Sequence, residues 1–224
     1  METMNKLYLI PSTLGDTPAD HVIPEHVIRI INSTDVYIVE NERTARRFLI
    51  KAGLKKPVDQ VTFFVLNKHT KTEDAEQFLQ SVTSSDIGII SEAGVPCIAD
   101  PGAAIVSLAH KKSIKVVPLA GPSSVLMAMM ASGLNGQNFA FNGYLPVKQQ
   151  ERNIRIRELE NRSFKEQQAQ IFIEAPYRNN QLLNDIVETC HGDTLLCIAT
   201  DISLETEMIA TMPVKLWKTK KPEL

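Results

Sequence analysis

Short apolar runs, separated by segments with helical spacing, fill the first half of the chain. These runs are LYLI, DVYIV, VTFFVL, IGII and IKVVPL. Most are continuously apolar and do not alternate, which is typical of strands buried on both faces of a parallel sheet. The intervening segments PEHVIRIINST and AAIVSLAHKK place apolar residues three or four positions apart, as amphipathic helices do. The pattern predicts a largely parallel sheet with helices packed on its faces.

A second set of elements follows the stretch VVPLAGPSS. The segment VLMAMMASG predicts a helix that Ser123 or Ser124 caps and that Gly133 ends. Charged helices are expected over VKQQERNIRIRELENR and NNQLLNDIVETC. Strands are expected over NFAFNGYL, QAQIFIEAP, TLLCIATDI and ETEMIATMPVKLW, with the last two antiparallel. We therefore predict an α/β fold of two domains, residues 1–118 with a mostly parallel sheet and residues 119–224 with a mixed sheet.

The composition is that of an ordinary globular protein and argues against several kinds of site. The 224 residues are 43% hydrophobic and 22% charged, with a net charge of −2. Such a small net charge gives no overall attraction to DNA, RNA or an anionic membrane, so any contact with a polyanion depends on local patches. Cys97, Cys190 and Cys197 show no CxxC spacing and the histidines show no HxxxH spacing, so we expect free thiols, a reducing cytoplasm and no metal site. No apolar stretch reaches the roughly 18 residues that a membrane span requires.

Three loops that follow predicted strands are rich in small residues and prolines. The first loop is IPSTLGDTPADHVIP, the second is SEAGVPCIADPG and the third is PLAGPSSV. Ligands of open α/β sheets bind at the carboxyl ends of the strands, where these loops lie. Because the GxGxxG pattern is absent, a nicotinamide or flavin cofactor bound through that device is not expected. Together the loops favour a small, flat, adenosine-like ligand held by backbone groups.

Each loop alone also has a purely structural interpretation. Pro11, Gly15 and Pro18 are the kind of residues that punctuate a connection. Glu92 either accepts hydrogen bonds from a ligand or caps its own turn. The third loop is equally consistent with a domain hinge followed by a helix cap. Only the set of three favours a ligand site.

The chain resembles one protein superfamily over nearly its whole length. The similar segments are LYLIPSTLGD, VYIVENERTARRFL, SEAGVPCIADPGAAIV, VVPLAGPSSVLMAMMASGL, FAFNGYLPVK and IFIEAPYR. They resemble the tetrapyrrole methylase superfamily, the class III S-adenosylmethionine-dependent methyltransferases. Within it, the chain is most similar to the 16S ribosomal RNA cytidine 2′-O-methyltransferase family. The resemblance implies S-adenosylmethionine as the cofactor, a cleft between two α/β domains that holds it, and a homodimer.

The resemblance also implies which residues contact the cofactor. By position in the superfamily pattern these are Pro11, Leu14, Glu92, Val95, Ile98, Ser123, Ser124, Phe172, Glu174, Ala175 and Ala199. Val95 stands where many relatives carry an aspartate and the ribosomal RNA subfamily a threonine. A polar side-chain contact is therefore lost there, which leaves binding by the backbone.

Three segments depart from the family pattern. The family's AEDTR appears here as VENER, which keeps Glu40 and Arg43 but changes the residues between them. SDAGTP has become SEAGVP. The family's RELTK–HE segment is replaced by the acidic stretch TDISLETE, Thr200 to Glu207. In the family's arrangement these positions face the substrate, so the changes bear on substrate choice.

Glu40 and Arg43 are the candidate catalytic residues. A ribose hydroxyl is a poor nucleophile and benefits from a positioned base. Glu40 ends the second predicted strand and could take this role with Arg43 as its ion-pair partner. The alternative is that Glu40 and Arg43 form a purely structural ion pair.

Two basic clusters are candidates for contact with RNA. The first combines Tyr144 with Lys148, Arg152, Arg155 and Arg157, and the second consists of Arg43, Arg46, Arg47 and Lys51 at helical spacing. Phosphate contacts from such residues would weaken steeply with salt. Solvated helix faces explain the same charges nearly as well.

The resemblance thus implies a methyltransferase that acts on the 2′-hydroxyl of a cytidine in 16S ribosomal RNA, and we expect it in the cytoplasm. The few aromatic residues suggest that specificity depends on the assembled 30S subunit as partner. Neither DNA nor a membrane is expected as a partner. A methylase of a porphyrin or corrin precursor is the alternative enzyme. A non-catalytic module that binds the cofactor or the ribosome is the alternative from another class.

Overall fold

The computed structural model describes residues 6–66, 70, 72–80, 85–220, 222 and 224. The chain divides into two compact units, one up to Ser123 and one from Ser124 onward. Both units contain strands and helices, which confirms the predicted α/β class. None of the helices in the described ranges is long and apolar enough to span a membrane.

The first unit alternates strands and helices. Its elements are β1 (Lys6–Ile10), α1 (Ala19–Val22), α2 (Glu25–Ser33), β2 (Val36–Val39), α3 (Glu42–Lys51), β3 (Thr62–Val65), α4 (Thr72–Gln80), β4 (Ile87–Ile90), α5 (Gly102–Lys111) and β5 (Lys115–Pro118). The helix predicted over KTEDAEQFLQSV is observed as α4, while Lys71, Ser81 and Val82 lie outside the described residues. The predicted strand–helix alternation therefore holds across this unit.

The five strands form one sheet in the order β3-β2-β4-β1-β5, and every pair is parallel. Ile10 of β1 and Val39 of β2 are both in register with Ile90 of β4. Because these three strands end at the same level, the loops that follow them leave the same edge of the sheet. Pro118 at the end of β5 is in register with Leu9, so the third loop leaves that edge as well.

Helices cover both faces of this sheet. One buried cluster packs α2 and α3 residues such as Ile31 and Leu49 against Tyr37, and a second packs Ile105 of α5 against Ile89. β4 is buried along its whole length, as its continuous apolar run IGII predicts. A Cβ at Gly88 would lie 2.7 Å from the side chain of Ile10 and 2.8 Å from that of Tyr37. The small residue in this strand therefore makes room for the packing of its neighbours.

The second unit contains two separate pairs of strands. Its elements are α6 (Ser124–Ser132), β6 (Phe139–Tyr144), α7 (Gln149–Glu166), β7 (Ala169–Ile173), α8 (Asn179–Thr189), β8 (Leu195–Thr200), β9 (Met208–Pro213) and α9 (Val214–Lys220). β6 and β7 are parallel, and β8 and β9 are antiparallel as predicted. Both strand directions are thus present, in two-stranded sheets.

The strand predicted over ETEMIATMPVKLW is wrong beyond Pro213. The chain turns there into α9, which begins at Val214. Val214 and Trp217 are three positions apart, so one helix face buries both to 1% and 2% exposure. The Trp217 indole N–H also donates to the Leu196 carbonyl at 2.9 Å. The hydrophobic spacing after Pro213 is therefore helical, although the residues before it form a strand.

Candidate functional site

The first and second loops are joined by hydrogen bonds at the carboxyl edge of the sheet in the first unit. The Ser12 backbone N–H donates to the Gly94 carbonyl at 2.9 Å. The Ser12 hydroxyl donates to the Ser91 carbonyl at 3.0 Å, and both serines are buried. These bonds satisfy buried polar groups that would otherwise be costly. They also fix the first loop against the start of the second.

The third loop reaches the other two through glycines. Gly94 has φ +71°, and a Cβ there would lie 2.9 Å from both the Leu14 side chain and the Pro122 carbonyl oxygen. A Cβ at Gly121 would lie only 2.3 Å from the Pro11 ring. These approaches are too close for any side chain, so glycine is required at both positions. The three loops therefore meet through backbone contacts, without a glycine-rich phosphate loop.

The second loop is held in a strained conformation by Asp100. The Asp100 carboxylate accepts backbone N–H bonds from Cys97 and Gly102, both at 2.7 Å. Cys97 and Ala99 have φ of +70° and +61°, which is the left-handed region that non-glycine residues avoid. Burial raises the pKa of the Asp100 carboxyl, and its two N–H bonds lower it. Such strain is typical of loops that must present their backbone to a ligand.

The start of α3 lies against the second loop. Asn41 caps α3, since its side-chain oxygen accepts N–H bonds from Arg43 and Thr44 at 2.9 and 3.4 Å. The Thr44 hydroxyl donates to Oε1 of Glu92 at 2.6 Å. The described residues donate no hydrogen bond to the other carboxylate oxygen of Glu92, whose side chain is exposed. Glu92 is therefore held at one oxygen and open at the other.

Glu40 lies at the end of β2, beside the same loop. Burial raises the pKa of its carboxyl, and the charges of Asp100 and Glu92 raise it further. A bond from the Glu92 backbone N–H opposes this shift. Glu40 and Asp100 also line a small recess whose other walls are apolar or backbone: Ile38, Val39, Leu66, Ile89, Ile90, Ser91, Pro101 and Gly102. The carboxyl of Glu40 consequently holds its proton more tightly than an ordinary glutamate does.

The predicted cofactor residues of the first unit lie on or beside these loops. Pro11 is buried, Leu14 and Val95 are partly buried, and Ile98 is 51% exposed. An exposed isoleucine in the same loop as Glu92 offers an apolar surface. Ser123 closes the third loop and is partly buried.

The predicted cofactor residues of the second unit lie in three places within that unit: at the start of α6, in and after β7, and in β8. Ser124 begins α6, and Phe172 packs from β7 onto a core cluster of α7 and α8 residues. Glu174 and Ala175 follow β7, while Ala199 lies in β8 of the other sheet. The structure thus brings the residues at the end of β7 together and places Ala199 in a separate sheet.

Arg43 does not pair with Glu40. Among the described residues it makes no ion pair within 4 Å, and its side chain is exposed on α3. Arg47 is exposed on the same helix. Arg46 is bound to Glu42 and Asp59 at 2.8 Å each, with its guanidinium 5.0 Å from the Phe63 ring. Lys51, the last residue of the helix, is paired with Asp16 at 2.5 Å. The exposed arginines of α3 are therefore Arg43 and Arg47, while Arg46 is held by acidic partners.

Arg152 was predicted to contact substrate, and this prediction is wrong. The residue is 1% exposed, and its Nε donates to the Asp185 carboxylate at 2.6 Å. It also donates to the Val147 carbonyl at 2.6 Å. Arg152 therefore holds α7 to α8 and to the preceding turn. An RNA phosphate has no access to this guanidinium.

The other predicted substrate residues of the second unit stay at the surface. Arg155 is partly exposed and bound to Glu158 and Asn142. Tyr144 is 55% exposed, and Lys148 is exposed with Glu151 3.2 Å away. Sequence reasoning missed Thr44 and Asp100, which fix the second loop. The Asp-Pro-Gly sequence before α5 is a signal that could have identified Asp100, because aspartate binds backbone N–H groups at such turns.

Curated relatives match almost the whole chain. A "Ribosomal RNA small subunit methyltransferase I" of Vibrio cholerae is 29% identical over 209 residues, which is 93% of this chain and 68% of that protein. The protein of the same name from Escherichia coli O157:H7 is 28% identical over 213 residues, 95% of this chain and 70% of the relative. That of Mesorhizobium japonicum is 30% identical over 206 residues, 92% and 66% respectively. No protein-family model matches the chain.

Solved structures of the same fold are more distant in sequence. The methyltransferase CobJ superposes with a TM-score of 0.62 at 15% identity, covering 95% of this chain and 87% of that one. A uroporphyrin-III C-methyl transferase from Thermus thermophilus, complexed with S-adenyl homocysteine, superposes with a TM-score of 0.57 at 14% identity, covering 98% and 93%. At these identities the likeness establishes the fold.

Proposed function

We propose a function from one premise: the chain belongs to the tetrapyrrole methylase superfamily, together with the ribosomal RNA small-subunit methyltransferase I proteins. It is an S-adenosylmethionine-dependent methyltransferase of that family. We propose that its acceptor is the 2′-hydroxyl of a cytidine in 16S ribosomal RNA, presented in the 30S subunit. The names of the curated relatives support the ribosomal RNA part of this proposal.

The meeting of the three loops in the first unit is the observation that carries the proposal. Gly94 and Gly121 let the three loops meet closely at the sheet edge, and the sequence there carries no glycine-rich phosphate loop. Glu92 offers one unoccupied carboxylate oxygen, which suits the hydroxyl or amino groups of a nucleoside. Ile98 offers an apolar surface for a flat base. These groups match a cofactor that has an adenosine moiety and lacks phosphates.

Glu40 is the proposed general base. S-adenosylmethionine, when bound, would supply a methyl group on a sulfonium, with a neutral thioether as the leaving group. Glu40 would take the proton of the acceptor hydroxyl as the new O–C bond forms and the S–C bond breaks. Its raised pKa makes the ionised carboxylate a stronger base than an ordinary glutamate. Most of the remaining acceleration comes from holding the acceptor in line, worth up to about 7–11 kcal/mol for ideal alignment.

Arg43 and Arg47 are the proposed phosphate contacts on α3. Both are exposed, and the helix that carries them starts beside Glu40 and the second loop. Arg43 is thereby reassigned from a catalytic role to substrate binding. An exposed arginine that meets a phosphate releases counterions, which strengthens RNA binding at low salt.

A methyl-transfer assay tests the proposed function. Tritiated S-adenosylmethionine is incubated with the protein and, in separate reactions, 30S subunits, naked 16S ribosomal RNA and uroporphyrinogen III. Incorporation into RNA, located by nuclease mapping of the 2′-O-methyl group, is the expected result. Incorporation into uroporphyrinogen would overturn the choice of substrate. Cofactor binding without transfer to any acceptor would favour the non-catalytic module.

Calorimetry tests the cofactor site with a matched pair of variants. Ile98→Glu places a charge on the exposed face of the second loop, and we expect at least a tenfold loss of S-adenosylmethionine affinity. Ile154→Glu makes the same change at an isoleucine that is 58% exposed on α7, and it should bind as wild type does. Equal affinity of the two variants would show that the second loop does not hold the cofactor.

A further inference from the structure

Tyr177 is an aromatic side chain that the fold leaves uncovered. It lies in the 3₁₀ turn Pro176–Arg178, directly after β7, and it is 84% exposed. Large aromatic rings are usually buried at least in part, because their apolar area is the main favourable term in packing. An exposed ring on an ordered turn is therefore a candidate contact surface.

Hydrogen bonds of Glu174 and Arg178 hold the turn that carries Tyr177. Glu174 is 4% exposed in its side chain, and Oε1 accepts from Nε and from a terminal nitrogen of Arg178, at 2.9 and 2.5 Å. The same oxygen accepts from the Ala175 backbone N–H at 2.7 Å, and the Arg178 N–H donates to the Ala175 carbonyl at 2.9 Å. Pro176 stiffens the start of the turn. The backbone under Tyr177 is consequently held by several bonds.

The Arg178 guanidinium also sits against the ring. Its central carbon is 5.3 Å from the Tyr177 ring centroid, within the range of a cation–π contact. One part of the ring is thus backed by a clamped side chain, and the rest is open. Holding a ring in place before binding lowers the entropy that a ligand must overcome.

The low net charge around Tyr177 favours a neutral ligand over a phosphate. The Arg178 charge is paired with Glu174, so the site presents little net charge to a phosphate. The free surface is the π face and edge of the Tyr177 ring. Proteins that read RNA stack its unpaired bases on aromatic rings of this kind. The chemistry therefore fits a flat, neutral heterocycle.

We propose that Tyr177 is a stacking platform for an unpaired base of the RNA acceptor. This inference rests on the proposed function, because it names how that substrate is held. Stacking of this kind requires the RNA strand to be unpaired at the base that meets this turn.

Binding measurements with variants test the platform. Fluorescence polarisation follows a short, labelled cytidine oligoribonucleotide and an abasic oligomer with the same phosphate backbone. Wild type should prefer the cytidine oligomer, and Tyr177→Ala should lose roughly tenfold in affinity for it with no change toward the abasic one. Tyr177→Phe keeps the ring and should bind as wild type does. Phe164→Ala removes another ring that is 80% exposed, on α7, and should have no effect.

Two further readouts separate the platform from other roles. Calorimetry of S-adenosylmethionine with Tyr177→Ala should give wild-type affinity, and a comparable loss would assign the ring to the cofactor site. Methyl transfer is measured in parallel on 30S subunits and naked 16S ribosomal RNA. Transfer by wild type with unaltered KM and RNA affinity in Tyr177→Ala would overturn the platform and leave the proposed function intact. RNA binding that depends on Tyr177 without any transfer would overturn the function and retain the platform. Wild type that neither binds the oligomers nor transfers methyl groups to either RNA would overturn both.

Discussion

At the residue scale, Thr44 shows how a side chain outside the predicted site can control it. Its hydroxyl donates to Glu92 at 2.6 Å, and without it the carboxylate loses its described side-chain partner. Thr44→Val keeps the shape of the side chain and removes the donor. We expect S-adenosylmethionine affinity to fall about tenfold, since hydrogen bonds to charged groups are worth about 1.5–3 kcal/mol. Calorimetry measures this loss.

Thr44→Ser is the matched control for this position. Serine retains the hydroxyl, so its variant should bind the cofactor nearly as wild type does. Equal affinities of the valine and serine variants would mean that the bond to Glu92 has no part in cofactor binding.

The raised pKa of Glu40 predicts opposite effects on activity and stability. Burial and nearby carboxylates favour the neutral acid, so its folded pKa lies above the unfolded value. As pH rises from the unfolded pKa through the folded pKa, the native protein is forced to ionise a group that is disfavoured, and this destabilises it. Glu40→Gln removes that penalty, so at neutral pH the variant should be at least as stable as wild type in urea. Its methyl-transfer rate should fall roughly 10²- to 10⁴-fold.

The pH profile of wild type checks the same assignment. The rate constant kcat/KM should rise with pH through an apparent pKa above that of an ordinary glutamate, because the base must be ionised. Glu40→Gln should lack this rise while its cofactor affinity is retained. A variant that transfers methyl groups at the wild-type rate would exclude Glu40 as the base.

Some single-residue environments could not be predicted from the sequence. VENER differs from the family pattern, yet Asn41 still caps α3 and Glu42 pairs with Arg46, so the change preserves the helix start. Helical spacing placed Arg152 in a basic cluster, but its burial depends on Asp185, which is distant in sequence. Local patterns cannot reveal such partners, because a side chain's environment is set by elements that meet only in the fold.

At the element scale, the Arg152–Asp185 pair joins α7 to α8. Both side chains are 2% exposed, and Gln149 donates to the second carboxylate oxygen of Asp185 at 2.7 Å. Arg152→Ala leaves a buried carboxylate without its cation, and we expect the free energy of unfolding to fall by about 3–5 kcal/mol. Urea denaturation followed by circular dichroism measures this. Arg155→Ala, on the same helix at a partly exposed site, should cost below about 1 kcal/mol.

Elements were predictable where hydrophobic patterns were long and consistent. Each strand of the five-stranded sheet was predicted, because strands buried on both faces produce continuous apolar runs. The error came at Pro213, where the strand passes directly into a helix with no intervening glycine to mark the change. The contacts of the three loops were only partly predictable. Small residues indicated a close approach, but the partners Pro11 and Pro122 emerge from the order of strands in the sheet.

At the scale of the whole molecule, a net charge of −2 means that RNA affinity must come from a few exposed cations. Arg43 and Arg47 are the exposed arginines of α3, so they should account for part of the salt dependence of binding. Each phosphate contact contributes about 0.7 to 0.9 to the slope of log K against log salt. The variant with both Arg43→Gln and Arg47→Gln should therefore have a slope smaller by about 1.5, measured by filter binding of 16S ribosomal RNA. Its cofactor affinity should be unchanged.

Arg29→Gln provides the control at this scale, since it removes an exposed arginine that is bound to Glu25 on α2 at 2.7 Å. It alters the net charge by the same amount per substitution but should leave the slope within error of wild type. If the slope changed by the same amount per arginine removed in both variants, binding would follow the total charge of the molecule and not a defined surface. If neither did, the phosphates would be held outside α3. The comparison thus decides whether a weakly acidic protein binds a polyanion through local placement of charge, as its composition requires.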